Sequence, residues 1–252
     1  MTARQLGASY HFAVAVLRPP LMALTKRDWR GAEHLPREGG FVAVTNHISH
    51  VDPLTFGHFL YDNGAPPRYL AKESMFRIPL AGRIVAGAGQ IPVYRETMDA
   101  ARALAAAVRA VEEGECVGIY PESTLTRDPG LWPMAGKTGA ARVALTTGCP
   151  VIPVAQWGAQ EILAPYGKRP HLLPRKTIHV HAGPPVDLSA YAGRPLDAPT
   201  LRAATEDIMA AITVLLEGIR GGKAPSVRWD PRQHDLPRTG NPNRRNGGKE
   251  RA

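Results

Sequence analysis

The sequence predicts an α/β fold, a largely parallel sheet flanked by helices, on three observations. Short apolar runs of strand character alternate with helical stretches along most of the 252 residues. Turn residues, chiefly glycine, asparagine and proline, separate the two kinds of segment. Ionisable residues follow directly on four of the apolar runs, at the carboxyl ends of strands where open α/β sheets collect their sites.

The elements follow in order. Tyr10 to Trp29 mixes Phe12, Val14, Val16, Leu17, Leu21, Met22 and Leu24 with Arg18, Lys26 and Arg27. That composition suits an amphipathic helix in a membrane interface, and equally one packed on the core. Arg18-Pro19-Pro20 is expected to end the apolar run that starts at Phe12. Residues 1–30 are therefore set apart as an N-terminal interfacial segment. No stretch reaches the roughly 18–20 apolar residues of a membrane span, and no signal-peptide pattern is seen.

Phe41-Val42-Ala43-Val44 is a short buried strand, and Pro53 to Tyr61 a helix closed by Asp62-Asn63-Gly64. Arg68 to Ala71 is a second strand ending at Lys72, Ile78 to Ala88 a helix or loop, and Gln90 to Tyr94 leads to Arg95. Thr97 caps the strongest helix, Ala100 to Glu113, which carries Leu104, Val108 and Val111 on one face and stops at Gly114. Cys116 to Tyr120 is a strand ending in Pro121-Glu122. Lys137 to Thr146 is a helix stopped by Gly148, and Val151 to Val154 a further strand. Thr177 to Ala182 alternates in strand fashion with His179 and His181 on one face, and Thr200 to Ile219 is a final amphipathic helix. The domain is thus 31–220, and 221–252 is a basic tail with little to bury, expected to be disordered.

Composition narrows the function. The net charge of +9 invites an anionic partner. With 6% aromatic residues and no basic-aromatic interleaving, nucleic acid is not expected to be that partner. Cys116 and Cys149 lack ligand spacing and read as small buried hydrophobes in a reducing compartment. His179 and His181 have no acidic or cysteine neighbour in sequence, so no metal is expected there. Glycine-rich phosphate loops and a Gly-x-Ser-x-Gly elbow are missing.

The chemistry concentrates at Asn46-His47-Ile48-Ser49-His50-Val51-Asp52-Pro53. His47 and Asp52 lie five positions apart, where a strand gives way to a helix. An imidazole backed by a carboxylate takes a proton from a hydroxyl while the carboxylate fixes its tautomer. On one continuous helix the two would stand about 140° apart, so a bend is required, and Asp52-Pro53 supplies one. Two rival readings remain from spacing alone: Asp52 as a plain helix cap, and His50 as the base.

Four ordered blocks over roughly Gly31 to Gly183 resemble the lysophosphatidic acid acyltransferase family, the glycerolipid acyltransferases of PlsC type. They are Asn46-His47-x4-Asp52, Gly89 to Arg95, Tyr120-Pro121-Glu122-Ser123-Thr124, and Val151-Ile152-Pro153-Val154. In the third block Ser123 stands where glycine is usual and Leu125 where arginine is usual, with Arg127 two residues further on. The resemblance implies a glycerol-3-phosphate acyltransferase-like fold and acyl transfer from acyl-CoA or acyl carrier protein, as co-substrate, to a glycerophosphate acceptor such as lysophosphatidic acid. It needs no further cofactor. It implies His47 and Asp52 as the catalytic pair. Lys72, Arg95 and Arg127 would grip the acceptor phosphate, Glu122 would contact glycerol hydroxyls, and Ser123 and Thr124 would line the acceptor site. It also implies a peripheral enzyme on the cytoplasmic face of the plasma membrane.

Overall fold

The structure, a computed structural model, describes residues 6–93, 97–230 and 233. Its centre is a seven-stranded sheet in the order β1-β7-β6-β2-β5-β3-β4. The strands are β1 (Thr25–Arg30), β2 (Phe41–Thr45), β3 (Pro67–Lys72), β4 (Ile91–Val93), β5 (Cys116–Ile119), β6 (Val151–Trp157) and β7 (Lys176–Ala182). Every neighbouring pair is parallel except β6 and β7. The expected largely parallel α/β sheet is what the chain forms.

Among the described residues seven helices accompany it: α1 (Ala8–Leu24), α2 (Asp52–Asp62), α3 (Ala81–Gly87), α4 (Thr97–Glu112), α5 (Gly139–Thr147), α6 (Ala159–Ile162) and α7 (Ala198–Arg220). Strand β2 is buried along its whole length, as a parallel strand covered on both faces must be. Its side chains alternate between two cores. Val42 and Val44 join Val117, Ile119 and the apolar faces of α4, α5 and α7. Phe41 and Ala43 join Phe56, Phe59 and Leu60 of α2. In β5, Gly118 is where Tyr69 crosses the sheet; a Cβ there would come within 2.6 Å of the ring.

The N-terminus departs from expectation. Helix α1 continues through Pro19 and Pro20 to Leu24. Two prolines remove the donors for the carbonyls of Ala15 and Val16, but both those residues are exposed, so water replaces them. Arg18 ties the helix down through a two-pronged bond to Asp62, at 2.8 and 3.0 Å. Residues 25–30, grouped by composition with the interfacial segment, are instead the edge strand β1 and belong to the sheet.

The other end departs too. In segment 221–230 the Ala224 amide donates to Glu217, Arg228 pairs with Glu206, and the Trp229 carbonyl accepts from the Ala135 amide. The domain therefore runs at least to residue 230. Smaller shifts concern helix starts: α2 begins at Asp52 and α5 at Gly139, and α5 stops at Gly148, whose φ of 69° is the left-handed cap foreseen.

Candidate active site

The turn from β2 into α2 carries His47 and Asp52. The helix starts with Val51 as its outer residue, so Asp52 lies in the first turn and its carboxylate is turned back toward the loop. There, fully buried, its Oδ2 accepts from His47 Nδ1 at 2.8 Å and from the amides of Ile48 at 2.5 Å and Ser49 at 2.8 Å. The plain-cap reading fails, because those amides precede the helix. Three donors on one oxygen hold the anion in place. An anionic partner for Nδ1 fixes the proton on that nitrogen and leaves Nε2 as the proton acceptor.

His47 is set from every side. Its amide donates to Glu122 Oε1 at 3.0 Å, and its carbonyl accepts from the Thr126 amide at 2.6 Å. Its ring lies 4.3 Å from the ring of Tyr120, tilted by 35°. The side chain keeps 15% of its surface, enough for a substrate hydroxyl to reach one nitrogen. His50, the rival, is exposed and makes no bond to Asp52; desolvation, then the neighbouring His47, lowers its pKa. His47 has the carboxylate partner and His50 does not.

The loop after β5 has a supporting task. Glu122 is 4% exposed, and its second oxygen accepts from the Met134 amide at 3.0 Å. With one oxygen on His47 and the other on Met134, it braces the loop against the turn that carries His47. Burial pushes its carboxyl up to about 8, only partly offset by the two amides. Ser123 sits at φ 58°, a left-handed conformation that accounts for the family's preference for glycine there. Leu125, in place of the usual arginine, is buried and lends its carbonyl to the Tyr166 hydroxyl at 3.1 Å. Arg127 is also buried, its amide 3.1 Å from Met134 Sδ. It stands inside the loop, 9% exposed. Thr124 is half-buried in the same turn. Lys72 is exposed at the end of β3, two strands from His47 with β5 between. Arg95 lies outside the described residues.

A polar network that sequence reasoning missed fixes the catalytic turn to the sheet. Buried Asn46 donates to the Gln156 carbonyl at 3.0 Å and accepts from the Gln156 amide at 2.9 Å. The Gln156 side chain donates to the Asn46 carbonyl at 3.1 Å and accepts from Thr55 at 3.1 Å. Ser49 adds a bond to the Leu163 carbonyl at 2.7 Å. The available signal was Gln156 itself, one amide in the otherwise apolar run Val151 to Trp157.

Comparison with known proteins shows the family. The Acyltransferase family model matches residues 26–157, just over half of the chain. The chain belongs to the Acyltransferase family. A 1-acyl-sn-glycerol-3-phosphate acyltransferase of Borreliella burgdorferi is 30% identical over 159 residues, covering 63% of this chain and 60% of that protein. A Bacillus subtilis protein of the same name is 29% identical over 126 residues, covering 50% of this chain and 60% of the relative. The chain thus spans less than two thirds of these relatives. The crystal structure of the 1-acyl-sn-glycerophosphate (LPA) acyltransferase PlsC from Thermotoga maritima superposes with a TM-score of 0.60. It is 21% identical and covers 83% of this chain and 82% of that one, a likeness of fold. Within the family match fall His47, Asp52, Glu122 and Gln156.

Proposed function

We propose that the chain transfers a fatty acyl group from a thioester, acyl-CoA or acyl carrier protein, to the sn-2 hydroxyl of lysophosphatidic acid, giving phosphatidic acid. The observation that carries this reading is the 2.8 Å bond from His47 Nδ1 to the buried Asp52, with 15% of the His47 side chain left exposed. An alcohol is a poor nucleophile near pH 7, and a positioned base contributes about 10²- to 10⁴-fold. Nε2 of His47 takes the hydroxyl proton as the oxygen attacks the thioester carbon. Asp52 stabilises the resulting imidazolium. Collapse of the tetrahedral oxyanion breaks the carbon–sulfur bond and expels the thiolate, to which His47 returns the proton. No acyl-enzyme is required, because the thioester is already activated.

The acceptor phosphate is assigned to Lys72 and Arg95. The acyl chains need cover from water, at about 0.8 kcal/mol per buried CH₂. Exposed apolar side chains support a membrane surface as that cover: Phe12 (55%) and Val16 on α1, with Met75, Ile78 and Leu80 (74%) before α3, which packs on α1. Among the described residues no helix is long and apolar enough to cross a membrane. The reading includes peripheral attachment at the cytoplasmic face of the plasma membrane, supported by that exposed apolar surface.

An acceptor screen tests this reading. With acyl-CoA as donor, thiol release should follow addition of lysophosphatidic acid and be much slower with glycerol 3-phosphate or zwitterionic lysolipids. Acylation of glycerol 3-phosphate in preference would reject the acceptor, and silence with every acceptor would reject the activity.

A further inference from the structure

The two histidines of β7 have an acidic partner that the sequence did not reveal. Strand β1 pairs with β7 so that Asp28 lies opposite His179 and Arg30 opposite His181. All four side chains share one face of the sheet, because residues two apart on a strand point the same way. Asp28 Oδ2 is 2.7 Å from His179 Nδ1 and 3.3 Å from His181 Nε2. One ligand atom from each of the three residues lies within 4.8 Å of the others.

We propose that Asp28, His179 and His181 form a binding site for a divalent transition metal of the zinc class, clasping the edge strand β1 to β7. The donor set is two imidazole nitrogens and a carboxylate oxygen, the mixture such ions favour. Ligands about 2.0–2.2 Å from a tetrahedral ion stand roughly 3.3–3.5 Å apart, so the 3.3 Å spacing fits and the 2.7 Å one opens by a small side-chain rotation. The scaffold is rigid, since two of the ligands sit on one strand and the third on its hydrogen-bonded neighbour. Arg30 Nε bonds the other carboxylate oxygen, Oδ1, at 3.1 Å, which orients Asp28 and leaves Oδ2 for the cation. All three side chains are part-buried, with 14–30% of their surface left. That leaves room for a solvent molecule to complete the coordination.

The place gives the site its purpose. Strand β1 is an edge strand and receives the chain directly from α1, none of whose residues is buried. A metal between β1 and β7 holds the root of that helix to the body of the domain. It does so apart from the catalytic pair, on strands that carry neither His47 nor Asp52.

Cobalt(II) is the test probe, because its visible absorption reports coordinated nitrogen directly. The tag-free full chain, stripped with a chelator, is titrated with cobalt(II) and then zinc(II), with thermal unfolding followed in parallel. One equivalent of cobalt should give d–d bands that zinc abolishes, and zinc should raise Tm by several degrees. His179→Ala, His181→Gln and Asp28→Asn should each weaken binding at least about tenfold and lose the Tm gain, while His50→Ala and His171→Ala keep both. His181→Gln keeps the side-chain bulk, and circular dichroism verifies that each variant is folded. The proposal is overturned if the full chain takes up no cobalt at about 100 µM, or if folded His181→Gln binds as the parent does. Neither result touches the acyltransferase reading, which rests on other residues.

Discussion

The catalytic turn and the N-terminal helix are held by opposite means. Around His47 and Asp52 the protein uses a set of buried polar bonds. Asp52 and Asn46 are essentially inaccessible; Asn46 accepts from the Gln156 amide, Gln156 from the Thr55 hydroxyl, and Glu122 from the Met134 amide. Helix α1 buries no residue and leaves Phe12, Val16, Leu17 and Met22 exposed. Its ties include the Arg18–Asp62 pair, with Arg27 and His58 near the same carboxylate, the Tyr10–Tyr61 ring contact at 6.1 Å, and a bond from Arg175 to the Met22 carbonyl at 3.0 Å. The contrast suits the two tasks proposed for these regions. A general base must be held to within a fraction of an ångström, whereas a helix that docks on lipid gains from presenting unburied apolar surface.

The comparison can be broken by weakening either side. The largest expected effect is from Asp52→Asn, which keeps the shape but removes the anion. Turnover in the thiol-release assay should drop by about 10²- to 10⁴-fold, with the apparent acceptor KM little changed. A variant that kept even a tenth of parental turnover would undo the role of Asp52. Next is Gln156→Ala, which strands the buried Asn46 backbone carbonyl and removes an acceptor of the Thr55 hydroxyl. Urea unfolding should show a loss of about 2–4 kcal/mol, from unsatisfied polar groups plus lost packing.

Glu122 gives a pH-dependent test. Its pKa is raised from 4.5 to about 8 by burial, so the folded state holds that proton more tightly than the unfolded chain does. Its contribution is full below about 4.5 and is lost as pH rises toward 8. Between pH 5 and 8 the parent should therefore lose stability that Glu122→Gln does not lose, the variant's decline being about half as steep or less. Equal slopes in denaturant titrations would show that Glu122 is ionised in the folded protein.

Asp62→Asn, by contrast, should cost little in global unfolding, about 1 kcal/mol or less, since Arg18 is 40% exposed. It should still loosen α1, read as faster amide exchange in residues 8–24 with exchange in β2 unchanged. Equal protection of α1 in variant and parent would show that the Asp62 node does not hold the helix. Ser123→Gly is the smallest change, a gain of up to about 1 kcal/mol from relief of the left-handed conformation.

Much of the fold could be read from the chain alone, because buried parallel strands are apolar throughout and their turns carry glycine and asparagine. Phe41 to Val44 and Cys116 to Tyr120 lay where local composition placed them. Edge strand β1 could not be read. Thr25-Lys26-Arg27-Asp28-Trp29-Arg30 has little strand patterning, and only its distant partner β7 makes it a strand. The His47–Asp52 pair was visible because both members lie within one turn. The meeting of Asp28 with His179 and His181, and of Asn46 with Gln156, spans more than a hundred residues and left no local trace. Arg127 misled for a related reason. Spacing placed a charge near the missing one, but the loop folds that side chain inward.

The most direct measurement is acyl-CoA-dependent thiol release with lysophosphatidic acid, comparing the parent with His47→Ala and His50→Ala after both variants are shown to be folded. Proton abstraction by His47 requires that His47→Ala lose at least about a hundredfold in turnover and that His50→Ala stay within about threefold of the parent. Parental turnover in folded His47→Ala would contradict it.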